Sequence, residues 1–345
     1  MQPPSGFISA RAERSDPPPK GARESDHPSY APNPEEQKPS LFKGLIKTIR
    51  PHQWVKNLFV MAPMFFHKDV FLATAAGPAL NLTVTARAAA ATAVFCMLAG
   101  AVYTINDLVD VEADRVHPVK RNRPIASGVV PAPTAKLVAA ALVISSLGAA
   151  LVLDWHFAAV AALYFAQNVA YSFKLKQVAF IDVGLIAFGF LLRVIAGGLA
   201  TDTHVSAYML ACTALLALFL GFGKRRHEIS SATAGKQRTA LETYTAKSLN
   251  FALVLTGTAT AVTYVAYTVD SATRVFFNSN WLWVTAPFTV FGIVRFLMLV
   301  SGRAGRGRRA ESPTQEMLSD VPFVLNLVAW VCVVVAIVYR LRPGT

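Results

Sequence analysis

The stretch Ala88-Ala-Ala-Ala-Thr-Ala-Val-Phe-Cys-Met-Leu-Ala-Gly-Ala-Val-Tyr-Thr-Ile-Asn106-Asp107-Leu-Val-Asp110-Val-Glu-Ala-Asp114 carries the two features on which the fold turns. No residue from Ala88 to Ile105 is charged, and a helix of that length crosses a hydrocarbon core of about 30 Å. Three aspartates follow at once. Asp107, Asp110 and Asp114 stand at i, i+3 and i+7, so a continued helix sets their carboxylates on one face. Three like charges at a membrane boundary repel one another unless a hard dication relieves them. Mg²⁺ characteristically joins one or two carboxylates to substrate phosphates. Asn106, at the same end, offers an amide to a ligand or a metal-bound water, whereas Glu112 falls off this face and reads as solvated or paired with an arginine.

C-terminal to the aspartates come Lys120, Arg121 and Arg123, with Pro118 and Pro124 limiting helix continuation. Carboxylates beside cations on one short loop suit a metal–diphosphate, in which the metal neutralises some oxygens and guanidinium forks take others. A charge run alone reads as a solvated loop; this spacing at a membrane boundary favours the ligand.

Further apolar runs continue the pattern. Nine spanning candidates lie near residues 56–76, 87–106, 135–153, 157–174, 178–200, 205–223, 248–269, 281–300 and 321–341. The chain of 345 residues is 54% hydrophobic and 15% charged, against about 25% charged in soluble domains. A soluble two-domain enzyme, a disulfide scaffold and a wholly disordered chain are thereby excluded. Cys96, Cys212 and Cys332 fall in apolar runs with no ligand or disulfide spacing.

Residues 1–40, rich in Pro, Ser and acidic residues, are expected to be a disordered tail without a signal-peptide core, leaving 41–345 as the membrane domain. The formal charge is +13 while the tail is net −1, so the basicity belongs to the membrane domain and no nucleic-acid-binding arm is expected. Of 33 Lys and Arg, 26 fall on one side of the spans and four on the other. That asymmetry makes the long polar loops cytoplasmic.

N-D-x-x-D-x-x-x-D followed by K-R-x-R-P resembles the first motif of the UbiA superfamily of intramembrane prenyltransferases. The resemblance implies an all-α membrane protein, a nine-transmembrane-helix UbiA-type bundle with cytoplasmic cap loops. It further implies Mg²⁺ held by Asp107, Asp110 and Asp114, and a cavity open to the cytoplasmic side and to lipid. Arg50–Asn57, Val111–Pro118, Leu192–Gly198, Gly223–Glu228 and Leu241–Thr245 are similar to one branch, the decaprenyl-phosphate phosphoribosyltransferases. That likeness covers roughly residues 43–340. It implies transfer of 5-phosphoribose from phosphoribosyl diphosphate to a polyprenyl phosphate, for cell-envelope polysaccharide, by a multi-pass protein of the plasma membrane. Membrane lipids are expected partners and a homo-oligomer is left open. The same-class alternative moves an isoprenyl group from its diphosphate to an aromatic or isoprenoid acceptor. A non-catalytic transporter or lipid-binding bundle is disfavoured by the aligned aspartates.

One departure from the superfamily pattern matters. Where prenyltransferases often carry D-x-x-x-D after the fourth span, this chain has Tyr171-Ser-Phe-Lys174-Leu-Lys176 and then Asp182 alone, which places a full second metal site in doubt. Lys174 and Lys176 either face a phosphate or snorkel at the membrane edge. Asp182 is a candidate metal, ribose or ring-cation contact, grouped with the three aspartates as catalytic. Arg193, deep in the fifth span, either meets a ligand phosphate or closes an ion pair within the bundle. Lys56 and Asn57 are assigned to substrate phosphate, and Lys224 and Arg225 join them by resemblance. Glu242 and Tyr244 either hold a ribose hydroxyl or brace a cap loop. Arg303, Arg306, Arg308 and Arg309 read as topology signal or anionic-lipid contact. The lipid phosphate is already anionic, so no general base is required.

Overall fold

The structure, a computed structural model, describes residues 40–66, 70–74, 77–173, 175–230, 243–301, 317 and 319–340. Residues 1–39 of the expected tail, Lys174, Glu242 and the arginines of 303–309 lie outside the described residues, whereas Ser40 caps the first helix. A short helix α1 (Leu41–Ile49) leads into an 11-residue 3-10 helix (Pro51–Met61), α2 (Ala62–Phe66) and a hairpin of β1 (Phe71–Thr74) and β2 (Gly77–Leu80). The long helices follow: α3 (Leu82–Val109), α5 (Ala132–Leu153), α6 (Trp155–Phe173), α7 (Ile181–Thr201), α8 (Ala207–Ser230), α9 (Ala246–Val269), α11 (Ala286–Val300) and α12 (Val321–Val335). Between them sit the short α4 (Val111–Arg115) and α10 (Ser271–Phe277).

Local chemistry sets the helix starts. Asn81 caps α3 by accepting from Val84 N, and Thr245 and Ser248 form a reciprocal capping box at α9. Asp320 caps α12 through Phe323 N and also takes both forks of Arg295, at 2.9 and 2.8 Å, tying α12 to α11. Seven helices are long and apolar enough to cross a membrane among the described residues. α6, at 19 residues, is long enough, but Gln167 and Asn168 dilute its apolar character; the Gln167 amide donates to Leu185 O on α7 at 2.9 Å. Large apolar side chains lie exposed along α5 (Leu137, Ile144, Leu151) and α12 (Leu325, Val328, Val335). Water would penalise those faces, whereas lipid does not.

Two apolar clusters hold the helices together. One packs Phe95 of α3 against Phe157 and Tyr164 of α6 and Leu192 and Ala196 of α7. The other joins Val183, Phe219, Leu249, Leu253 and Phe296 from α7, α8, α9 and α11. Small residues let backbones approach, as membrane helix packing requires. At Gly197 a Cβ would stand 1.9 Å from Val60 O, and at Gly223 it would stand 2.4 Å from the Phe296 ring.

Residues 56–76, expected as one helical span, are built differently. The 3-10 helix, five α-helical residues and the hairpin replace it. Pro63 has no N–H to continue a ladder through this run, and Gly197 draws the Val60 carbonyl against α7. The other expected segments each coincide with a described helix to within a few residues at most ends, α8 running on to Ser230 and the last turn of the final segment opening into a π-helical turn, Ala336–Arg340.

Candidate active site

The aspartates do not share one uninterrupted helical face. α3 stops at Val109, Asp110 stands at φ −90° and ψ 6°, and α4 restarts at Val111. The bend separates the three. Asp107 and Asp114 turn inward and are buried, while Asp110 stays part-exposed and meets Lys176 Nζ at 2.8 and 2.9 Å. Glu112 faces away and pairs with Arg115, as its position off the face suggested.

Two arginines converge on the buried carboxylates. Arg123 Nη1 donates to Asp107 Oδ1 at 3.0 Å and to Asp114 Oδ2 at 2.6 Å. Arg50 Nη2 donates to the same Asp107 oxygen at 2.5 Å, and its guanidinium sits 5.1 Å from the Tyr103 ring centroid. Both are set by one packing unit. Gly44 of α1 fits against Val129 and Val130, and Leu45 packs on the cluster of Ile125, Val130 and Ala135. Arg50 closes α1 in the left-handed region at φ 52°, a conformation that a non-glycine residue adopts at a cost of about 1–3 kcal/mol. Sequence reasoning had left Arg50 out of the site. Its available signal was the following proline, which disfavours continuing the helix through Arg50.

A second polar group lies deeper. Arg193 Nε donates to Asn57 Oδ1 at 2.8 Å, Nη1 to Gly189 O at 2.9 Å and Nη2 to the Tyr164 hydroxyl at 2.7 Å. The Asn57 amide donates in turn to Cys96 Sγ at 3.3 Å. Lys56 keeps an accessible side chain, and Lys224, Arg193 and Arg50 all repel its ammonium.

Asp182 and Arg225 form a third group, closed on itself. Arg225 Nε meets Asp182 Oδ2 at 2.6 Å, with both side chains 1% exposed, and Arg225 Nη1 bonds Glu228. The Tyr244 hydroxyl donates to Asp182 Oδ1 at 2.6 Å and accepts from Phe180 N at 2.6 Å. Burial and the Asp182 carboxylate both raise the Tyr244 pKa above its ordinary value. Asp182 thus contacts Tyr244 and Arg225, and Arg225 contacts Asp182 and Glu228 while its Nη2 makes no hydrogen bond among the described residues. Tyr244 thereby ties the start of α9 to the start of α7. Tyr171 lies within electrostatic reach of Arg225.

Of the remaining expected residues, Asn106 is part-exposed beside Asp110, and Lys120 and Arg121 form a 3-10 turn leading to Arg123, with Arg121 exposed. Lys224 is exposed and lies 4.0 Å from Glu228. No three His, Cys, Asp or Glu side chains form a ready metal cage among the described residues. The donor set nevertheless fits Mg²⁺. Asp107 and Asp114 are hard oxygen donors close enough to share one cationic nitrogen, and Mg²⁺ takes few carboxylates and completes its shell with phosphate and water.

A membrane-embedded helical bundle with buried aspartates at one end of its first long helix defines a class of intramembrane transferases, and comparison with known proteins agrees. The chain belongs to the UbiA prenyltransferase family, whose pattern it matches over residues 60–317. It is 38% identical over 312 residues to the decaprenyl-phosphate phosphoribosyltransferase of Mycolicibacterium smegmatis, covering 87% of this chain and 94% of that protein. Identity to the protein of the same description from Corynebacterium glutamicum is 36%, over 88% of this chain and 90% of the relative. A UbiA homologue from Archaeoglobus fulgidus, solved with GPP and Mg²⁺, superposes with a TM-score of 0.62 at 16% identity, covering 86% and 99% of the two chains. An apo UbiA homologue from Aeropyrum pernix superposes with a TM-score of 0.58, also at 16% identity, covering 82% and 97%. These likenesses concern the fold.

Proposed function

We propose that this protein transfers 5-phosphoribose from phosphoribosyl diphosphate to a polyprenyl phosphate and releases diphosphate. The observation that carries the reading is the site at the end of α3, where buried Asp107 and Asp114 alternate with Arg50 and Arg123. It lies in a chain 38% identical to a decaprenyl-phosphate phosphoribosyltransferase over nearly that protein's full length.

Asp107 and Asp114, with Asp110 released from Lys176, would hold Mg²⁺, which when bound supplies positive charge to the departing diphosphate. The rest falls to the chain's own residues. Arg50, Arg123 and Lys176 neutralise the carboxylates in the free protein and turn to diphosphate oxygens once substrate arrives. Lys120 and Arg121, on the turn that leads to Arg123, would add positive charge beside them. Lys56, Asn57, Arg193 and Lys224 provide the remaining polar contacts for phosphate. In the displacement a lipid phosphate oxygen forms a new bond to ribose C1 as the C1–O bond to diphosphate breaks. In-line attack inverts C1. The nucleophile arrives anionic, so the site needs no base.

The same reading completes the topology. An 11-residue 3-10 helix and five α-helical residues rise about 2.0 and 1.5 Å per residue, roughly 30 Å in all. Residues 51–66 therefore reach across the hydrocarbon core. With the eight long helices they make a nine-segment bundle whose aspartate end and cap loops face the cytoplasm, in the plasma membrane.

The test is direct. Purified protein with Mg²⁺, labelled phosphoribosyl diphosphate and a polyprenyl phosphate is expected to form an acid-labile lipid-linked phosphoribose, and chelation of Mg²⁺ abolishes the product. Turnover of geranylgeranyl diphosphate with no phosphoribosyl product would establish the prenyl-transfer alternative instead.

A further inference from the structure

The short helix α1 is anchored by one face only. Gly44 and Thr48 are buried, Gly44 fits against Val129 and Val130 of the loop before α5, and Leu45 packs on Ile125, Val130 and Ala135. At about 3.6 residues per turn, Phe42 and Ile46 fall on a second stripe and Lys43 and Lys47 on a third. Phe42 is 72% exposed and Ile46 42%. Lys43 and Lys47 are exposed as well, one turn apart, and neither joins an ion pair among the described residues. None of the nine residues of α1 is acidic. An apolar stripe and a cationic stripe thus run side by side.

Neither water nor hydrocarbon suits this helix alone. Water penalises the Phe42 ring, and the hydrocarbon core penalises an ammonium. The boundary between them satisfies both, with apolar side chains in the acyl region and flexible lysine stems carrying their charge to the headgroups. The position of α1 agrees. Arg50, at φ 52°, turns the chain from α1 into the 3-10 helix. There Val55 and Leu58, three residues apart and so on one 3-10 face, are 63% and 54% exposed. The exposed apolar surface of α1 therefore continues onto a segment whose flank suits lipid. The loop on which α1 packs follows directly from Arg123, which places the lysines at the aspartate end. A second copy of the chain is a poor occupant, because a two-fold contact through this face sets Lys43 and Lys47 against their own copies.

We infer that α1 is an interfacial helix that docks on anionic lipid headgroups in the leaflet at the aspartate end. Phe42 and Ile46 enter the acyl boundary, and Lys43 and Lys47 bind the headgroup charge. The lipid is selected by that charge and not by its chains, so phosphatidylglycerol is preferred to phosphatidylcholine. The docking is independent of the proposed reaction. It ties the membrane surface to the site, because Arg50, the residue that closes α1, donates to Asp107.

The test uses the full-length chain without its three native cysteines, carrying an environment-sensitive fluorophore on Phe42→Cys. In detergent micelles, phosphatidylglycerol is expected to half-saturate the spectral shift at a mole fraction at least about fivefold below that of phosphatidylcholine, the scale of one cation near an anionic surface. Lys43→Gln with Lys47→Gln is expected to erase that preference. Lys136→Gln with Lys247→Gln removes the same charge from exposed positions on α5 and α9 and is expected to keep it. Thermal unfolding checks that each pair is folded, and raised salt, which screens exposed charge, is expected to erase the preference in the chain with all four lysines. In nanodiscs, lipids brominated on their acyl chains are expected to quench the fluorophore. Absence of quenching puts residue 42 in water and overturns the docking. Equal response to the two lipids overturns the anionic selection. A preference that survives loss of Lys43 and Lys47, or falls equally in the control pair, overturns the assignment to α1.

Discussion

At the residue scale, the same residue types serve opposite ends depending on what they face. Arg123 and Arg225 are both arginines at a carboxylate; Arg123 is a candidate phosphate ligand from the basic run after the aspartates, and Arg225 by resemblance to the family. Arg123 is part-exposed, with one nitrogen between Asp107 and Asp114, so its partners are exchangeable for a substrate. Arg225 is closed in against Asp182 and Glu228, beneath Tyr244. Removing one member of a buried pair strands the other, at a cost of about 3–5 kcal/mol. Arg225→Met is therefore expected to lower the thermal midpoint sharply in detergent, and pairing it with Asp182→Leu is expected to recover much of that loss. Arg123→Gln is expected to leave the midpoint nearly unchanged and cut turnover by about 10²-fold or more, the scale of a lost transition-state charge contact. A large Arg123→Gln destabilisation, or an Arg225→Met protein as stable as the wild type, would reverse these roles. The sequence marked both arginines as charged and near the membrane edge. It did not mark their partners, because Asp182 lies 43 positions before Arg225 and no local spacing rule joins residues on different helices.

Elements carry the constraint that brings these side chains together, and the least legible of them was the first. An apolar run reads alike as α-helix, 3-10 helix or strand, and periodicity alone does not distinguish them over so short a length. Eight long helices were readable because each has many turns of apolar residues and few competing signals. Residues 51–80 instead depend on Pro63, which lacks an N–H, and on tertiary contact: Val60 O approaches α7 so closely that Gly197 has no room for a side chain. That contact also sets the height of Asn57 against Arg193. Gly197→Ala places a methyl group on a backbone carbonyl, which the helix must shift to relieve, and overpacking of this kind costs about 1–3 kcal/mol. The expected result is a modest fall in the thermal midpoint with a larger loss of turnover, because the displaced 3-10 helix moves Lys56 and Asn57 away from Arg193. Gly148, where an added Cβ meets nothing within 4 Å, supplies the control: Gly148→Ala is expected to change neither property. Equal behaviour of the two alanine variants would show that the close contact at Val60 does not position the site.

For the whole molecule, apolar faces place the bundle in lipid, and the charge of its loops bears on the proposed orientation. Exposed Leu137, Ile144 and Leu151 on α5 and exposed Leu325, Val328 and Val335 on α12 form faces suited to lipid. Among the described residues the aspartate end carries Arg50, Arg115, Lys120, Arg121, Arg123 and Lys176. Part of this excess is topological and part is chemical, and the structure separates them. Arg50, Arg123 and Lys176 neutralise the aspartates, whereas Arg115 merely pairs with solvent-exposed Glu112. Both kinds favour the cytoplasmic side, because the positive-inside bias counts Lys and Arg whatever their role. Orientation is measurable by labelling. With Cys96→Ser, Cys212→Ala and Cys332→Ala as background, a single cysteine is introduced at exposed Arg115 on the aspartate end or at exposed Asn280 on the other. A membrane-impermeant maleimide added to intact cells is expected to modify Asn280→Cys and to reach Arg115→Cys only after permeabilisation. Labelling of Arg115→Cys in intact cells would put the aspartates outside. A water-soluble sugar diphosphate made in the cytoplasm would then have no path to them, and both the orientation and the proposed donor would have to be abandoned together.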